Sequence, residues 1–108
     1  MLREIKSPQR LPRQLHFKLD GTGTASLVIG SKDGVLVDNN TGDYTITFAK
    51  PFARPPVVVA SSLTAGAVVQ IAAASATACQ LVVTDLAAAA LDADLMVIVQ
   101  GFDAVDEY

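Results

Sequence analysis

Apolar and polar residues alternate through Asp43-Tyr44-Thr45-Ile46-Thr47-Phe48, so an extended backbone sends Tyr44, Ile46 and Phe48 to one face and Asp43, Thr45 and Thr47 to the other. This is the pattern of a strand with one face on a core. Lys50-Pro51-Phe52-Ala53-Arg54-Pro55-Pro56 follows. No helix or central strand holds such a run, because each proline lacks an N–H and biases the residue before it towards extended geometry. Val57, Val58 and Val59 then follow without a polar break. A run apolar on both faces belongs inside a sheet packed on both sides, or at a subunit interface. Val57, Val58 and Val59 are therefore candidate subunit-interface residues.

The same reading along the rest of the chain predicts short strands separated by turn chemistry. Leu15, Phe17 and Leu19 alternate with His16, Lys18 and Asp20, giving a first strand that stops at Gly21-Thr22-Gly23. Thr24 to Ile29 forms a second. Gly30 to Gly34 is rich in turn formers, with Asp-Gly where hairpins favour it, and leads into a short third strand over Val35 to Val37. Asp38 to Gly42 closes that strand. The alternating segment and the valine run supply the fourth and fifth. Val68 to Ala74, Cys79 to Asp85 and Leu95 to Phe102 complete the set. Leu86 to Leu91 has helix propensity, but six residues do not make a stable helix and Thr84-Asp85 caps no more than a turn or two. About eight short antiparallel strands with no strand-helix alternation mean an all-β fold, a β-sandwich or jelly roll.

Pro8 and Pro12 prevent a regular helix at the start of the chain, so residues 1–14 read as an extended N-terminal arm on a single domain over 15–108. Charge sharpens this division. Net charge is −3, yet Arg3, Lys6, Arg10, Arg13 and Lys18 are five of the eight basic residues, while Asp92, Asp94, Asp103, Asp106 and Glu107 gather near the C-terminus. A basic arm of this kind suits an acidic partner surface or a neighbouring subunit. Nucleic acid fits less well, because the arm has no aromatic before Phe17 and the rest of the domain is acidic. The apolar fraction of 51% is high for a small soluble monomer and points to a surface shared with another chain. No apolar stretch approaches the ~18 residues needed to span a bilayer, and residues 1–14 lack the apolar core of a signal peptide, so a soluble protein made in a cytoplasm is expected.

Candidate chemistry is sparse. His16, the single histidine, lies on the polar side of its strand and reads as a surface or interface imidazole. Ser61 and Ser62 lack the glycine-flanked elbow of a nucleophilic serine. Asp33, Asp38, Asp43, Asp92 and Asp94 have no EF-hand spacing and read as turn-forming carboxylates. Gly21-Thr22-Gly23-Thr24 is followed by no G-K-[ST] motif. Cys79, beside Ala78, Leu81 and Val83, reads as a buried thiol. There is no Trp, and Phe17, Tyr44, Phe48, Phe52 and Phe102 fall where core packing explains them, leaving little for sugar stacking. No enzyme, cofactor or metal is expected.

The run Asp38-Asn39-Asn40-Thr41-Gly42-Asp43-Tyr44-Thr45-Ile46-Thr47-Phe48, followed by Pro51-Phe52 and Pro55-Pro56-Val57-Val58-Val59, resembles a strand-proline-strand module of tailed-bacteriophage virion proteins. With the arm over Ile5 to Arg10 and Arg13 to Leu15, the chain is similar to small head decoration (cement) proteins. The resemblance covers roughly Leu15 to Phe102 and carries over no catalytic residue. It implies a homotrimer on the outer capsid surface of the virion, with the major capsid protein as partner and neither nucleic acid nor membrane bound. Arg3, Lys6, Arg10 and Arg13 would then reach the capsid and Val57 to Val59 the neighbouring subunit. The same strand pattern also resembles tail-fibre and lectin-like sandwich modules, which implies receptor or glycan binding as the alternative.

Overall fold

A computed structural model describes residues 11–103. Eight strands follow in chain order: β1 (Leu11–Asp20), β2 (Ser26–Ile29), β3 (Gly34–Asn40), β4 (Asp43–Phe48), β5 (Val57–Ser62), β6 (Val68–Ala74), β7 (Ala78–Thr84) and β8 (Leu95–Asp103). They form two four-stranded antiparallel sheets, β2-β1-β8-β5 and β3-β4-β7-β6, facing each other as a β-sandwich. Every expected strand is present. Leu86 to Leu91 makes a turn instead of helix, with the Asp85 carboxylate accepting from the N–H groups of Ala87 and Ala89 and Ala88 at φ 67.

Strict alternation in the four central strands builds the core. Leu15, Phe17 and Leu19 from β1, Tyr44, Ile46 and Phe48 from β4, Cys79, Leu81 and Val83 from β7, and Leu95, Val97 and Val99 from β8 are all buried. Phe52 adds an edge-on contact to Phe48, with ring centroids 5.3 Å apart. The proline crossing from β4 to β5 holds Phe52 in place. Its N–H donates to Ala76 O at 2.8 Å, and the Ala53 N–H donates to Phe102 O at 2.9 Å. Gly101 lies directly under that ring, where a Cβ would stand 2.8 Å from Phe52 Cδ1.

Carboxylates in the β7–β8 connection tie the opposite end together. Asp92 Oδ1 accepts from Gly42 N–H at 2.8 Å and from the Tyr44 hydroxyl at 2.9 Å, pinning the β3–β4 turn. Asp94 Oδ1 accepts from Gly21 N–H at 3.0 Å, pinning the β1–β2 turn. Gly42 has φ +67, and a Cβ there would collide with the carbonyls of Val83 and Leu91, so this turn admits only glycine.

Three expectations are corrected. First, β1 begins at Leu11, so Leu11 to Gln14, assigned to the arm, belong to the sheet. Pro12 is tolerated because β2 pairs β1 only over Lys18 to Asp20, leaving one side of β1 open at Pro12. Second, Val57 to Val59 do not run through the interior of a sheet, because β5 is an edge strand. Third, Phe102 is not core: it stands on an outward position of β8 and is 52% exposed.

Candidate functional site

The outward face of the sheet β2-β1-β8-β5 is apolar where water is the expected neighbour. Antiparallel register sets its side chains in rows: Val59 opposite Ile98 and His16, Ser61 opposite Met96 and Lys18 with Ile29 beyond, and Val57 opposite Gln100 and Gln14. Val57 is 67% exposed, Val59 59% and Ile29 52%, with Met96 and Ile98 also open. These side chains alternate with the buried ones, so folding itself turns them outward. Their continuity distinguishes them from the single exposed apolar residues common on any surface.

Two hollows indent this face. One, of about 370 Å³, is lined by Arg54, Pro55, Pro56, Val57, Gln100 and Phe102. The other, of about 360 Å³, lies between His16, Lys18, Ile29, Met96 and Ile98. One charge, Lys18, stands within the rows between Met96 and Ile29, and the others keep to the margins. Lys18 borders the second hollow, Arg54 the first, and Asp20 closes the far end of β1, its carboxyl held below the usual range chiefly by the Thr22 hydroxyl at 2.6 Å and then by the Thr22 N–H. An apolar centre with a polar rim is the anatomy of a protein contact surface.

The expected interface residues divide by strand parity. Val57 and Val59 point outward onto this face, whereas Val58 turns inward and packs against the core. Sequence reasoning missed Met96, Ile98, Ile29 and Phe102. The signal was available in β8, where Leu95-Met96-Val97-Ile98-Val99 is apolar on both faces, as Val57 to Val59 are.

Arg13, expected to reach a capsid, is already engaged within the fold. Its Nε lies 2.8 Å from Asp103 Oδ1, the two meeting as charges without hydrogen-bond alignment. Its Nη2 donates to Lys50 O at 2.7 Å, and its guanidinium stacks 4.0 Å over the Phe52 ring. The inward parity of residue 13 in β1 causes this: Arg13 caps the core end that Phe52 closes. Arg3, Lys6 and Arg10 lie outside the described residues.

Three of the remaining polar candidates have structural partners. Asp92 and Asp94 hold turns, and Asp43 accepts from the side-chain amides of Asn39 and Gln80 at 3.2 and 2.9 Å. Among the described residues no three His, Cys, Asp or Glu side chains gather as a metal site would require. Burial pushes the Cys79 thiol up to about 11. Burial, then the neighbouring Asp92, raises the Tyr44 phenol well above its ordinary value. His16 is exposed at the centre of the apolar face, beside Ile98. Comparison with models of known protein families, with curated proteins and with solved structures gives no match to this chain.

Proposed function

We propose that the chain is a non-enzymatic virion structural protein, a capsid decoration protein whose copies associate through the outward face of β2-β1-β8-β5. The observation that carries this reading is the continuous apolar row structure around Val57, Val59, Ile98 and Met96. Covering a half-exposed valine, isoleucine or methionine is worth about 1 kcal/mol, so several such side chains contribute substantially to association. The resemblance to decoration proteins makes the assembly a homotrimer and the partner the major capsid protein. Arg3, Lys6 and Arg10 supply the capsid contact; Arg13 is withdrawn from that role because Asp103 and Phe52 already hold it. Three arms on one trimer turn weak contacts into avid ones.

Deleting residues 1–10, which leaves β1 whole, should preserve the trimer mass but abolish binding to undecorated capsids of a tailed phage. Undiminished capsid binding by the shortened protein would sink the arm's role. Val57→Lys with Val59→Lys should reduce the solution mass to that of a smaller species, and an unchanged mass would sink the face's role. The exposed Phe102 favours a second reading, because its ring borders a hollow with Arg54 and Gln100 and provides the aromatic platform a glycan-binding domain uses. Glycan-array binding lost in Phe102→Ala would select that reading over the first.

A further inference from the structure

The chain has a single histidine, and the fold sets it in the middle of the apolar rows. His16 is exposed on β1, a strand flanked by β8 and β2. Ile98 lies opposite it on β8, and Val59 lies beyond Ile98 on β5. With Met96 and Ile29 it lines the second hollow of this face. One charge stands close to it on the same face: Lys18, two residues along β1 and about 7 Å away by strand geometry. The other elements around it add no carboxylate to the rows. The outward residues of β8 opposite β1 are Met96, Ile98 and Gln100, those of β5 are Val57, Val59 and Ser61, and β2 has no charged residue. Asp20 is four residues off at the end of β1. Gly30 abuts the His16 carbonyl, and the turn that it opens carries Lys32 and Asp33, one charge of each sign.

We infer that His16 makes the association of copies through this face sensitive to pH: neutral, it is covered together with its apolar neighbours, and protonated, it drives the copies apart. The inference rests on the face contact proposed above and adds its regulation. Covering the rows takes the imidazole out of water, which disfavours its charged form, and the nearby Lys18 ammonium disfavours that form further. With no carboxylate in the rows, nothing on the chain's own face offsets a second positive charge. The assembled state therefore binds fewer protons than the separate chains. Association is full above the ordinary imidazole range and is lost as pH falls through it. Carboxylates ordinarily titrate at about pH 4 and lysine at about pH 10, so between pH 7.5 and 5.5 histidine is the side chain whose charge changes. Across that window the loss reaches roughly tenfold in the association constant for each copy.

The test measures sedimenting mass of the full chain against concentration at pH 7.5 and 5.5, with circular dichroism to follow the fold. Wild type, His16→Gln and Val59→Lys/Ile98→Lys are compared. Expected is a wild-type association constant that falls by roughly tenfold per copy at pH 5.5 with the dichroism unchanged, and a constant in His16→Gln that does not move. A wild-type constant equal at both pH values overturns the inference, as does an equal fall in His16→Gln. Dichroism lost together with mass at pH 5.5 also overturns it, because acid would then act on the fold. Should His16→Gln fail to fold, His16→Ala carries the same expectation. Val59→Lys/Ile98→Lys separates the switch from the face. If it dissociates the protein at pH 7.5 while the wild type ignores pH, the face contact stands and the switch falls. If it keeps the wild-type mass, or the wild type is a monomer at pH 7.5, the face contact falls and takes the switch with it.

Discussion

The outward faces of the two sheets differ at their centres, although both expose valine at an edge, Val57 and Val59 on β5 and Val35 and Val37 on β3. On β3-β4-β7-β6 the centre is polar: Asn39, Asp43, Thr45 and Gln80 bond to one another across three strands, with Asn39 Nδ2 donating to Thr45 Oγ1 at 2.8 Å. On β2-β1-β8-β5 the corresponding positions are Val57, Val59, Met96 and Ile98, which have no partner for their surface among the described residues. Both sheets are four-stranded and antiparallel, and both bury alternating apolar residues on the inside. The difference is thus in the outward residues, not the architecture: the centre of one face is polar and bonded within itself, whereas the other leaves Val57, Val59, Met96 and Ile98 open.

Charging the apolar face should break the comparison with the largest effect. Val59→Lys with Ile98→Lys is expected to dissolve the assembly, read as a fall in sedimenting mass, while the chain's own unfolding free energy moves by no more than about 0.5 kcal/mol, because both side chains already point to solvent. Stability falling with the mass would mean that these residues hold the sandwich itself together.

The next effect tests the frame that both faces share. Asp92 serves the polar sheet through Gly42 and Tyr44, and Asp94 serves the apolar one through Gly21. Asp92→Ala leaves a buried phenol and a turn N–H without their acceptor and should cost about 2 kcal/mol in chemical denaturation. Asp94→Ala removes one bond and should cost about 1 kcal/mol. Equal costs would show that the Tyr44 hydroxyl finds another partner.

The inward half of this design was legible in the sequence. Period-2 alternation in Leu15 to Leu19 and in Tyr44 to Phe48, with turn residues at the right intervals, specified the strands and the core-facing side of each. What could not be read was the neighbour of each strand. Val57 to Val59 are apolar on both sides whether the strand is central, at an edge or at an interface, and only the order β2-β1-β8-β5 makes β5 an edge. Phe102 and Arg13 were misplaced for a related reason. Parity places a residue only where the strand is known to extend and to keep its phase: β1 begins at Leu11, which carries Arg13 inward with Leu15, Phe17 and Leu19 onto Phe52 and Asp103, and unbroken alternation through β8 carries Phe102 outward.

A smaller change sharpens the comparison from the polar side. Asp43→Ala removes the acceptor shared by Asn39 and Gln80, both within reach of water, so a loss of about 1 kcal/mol is expected with no change in mass. A shift in oligomeric state would show that the polar face also meets a partner.

The smallest effect lies beneath the polar face, at Cys79. Its thiol is pushed from the ordinary 9.0 up to about 11 by burial, so the folded state holds its proton where the unfolded chain has begun to lose it. A group whose folded value is raised contributes stability that is fully present below the unfolded value and is lost as pH rises through the folded one. Tyr44 acts in the same direction, its phenol raised above 10.0 first by burial and then by Asp92. Stability should therefore be flat in pH up to about 8, then decline by about half a kcal/mol by about pH 9. Cys79→Ala should reduce that decline, whatever it costs in packing, because the slope depends on the titrating group and the offset on the lost volume. An unchanged slope would mean that Cys79 sees water in the folded state, and the interior beneath the polar sheet would then be less closed than its bonded outer surface implies.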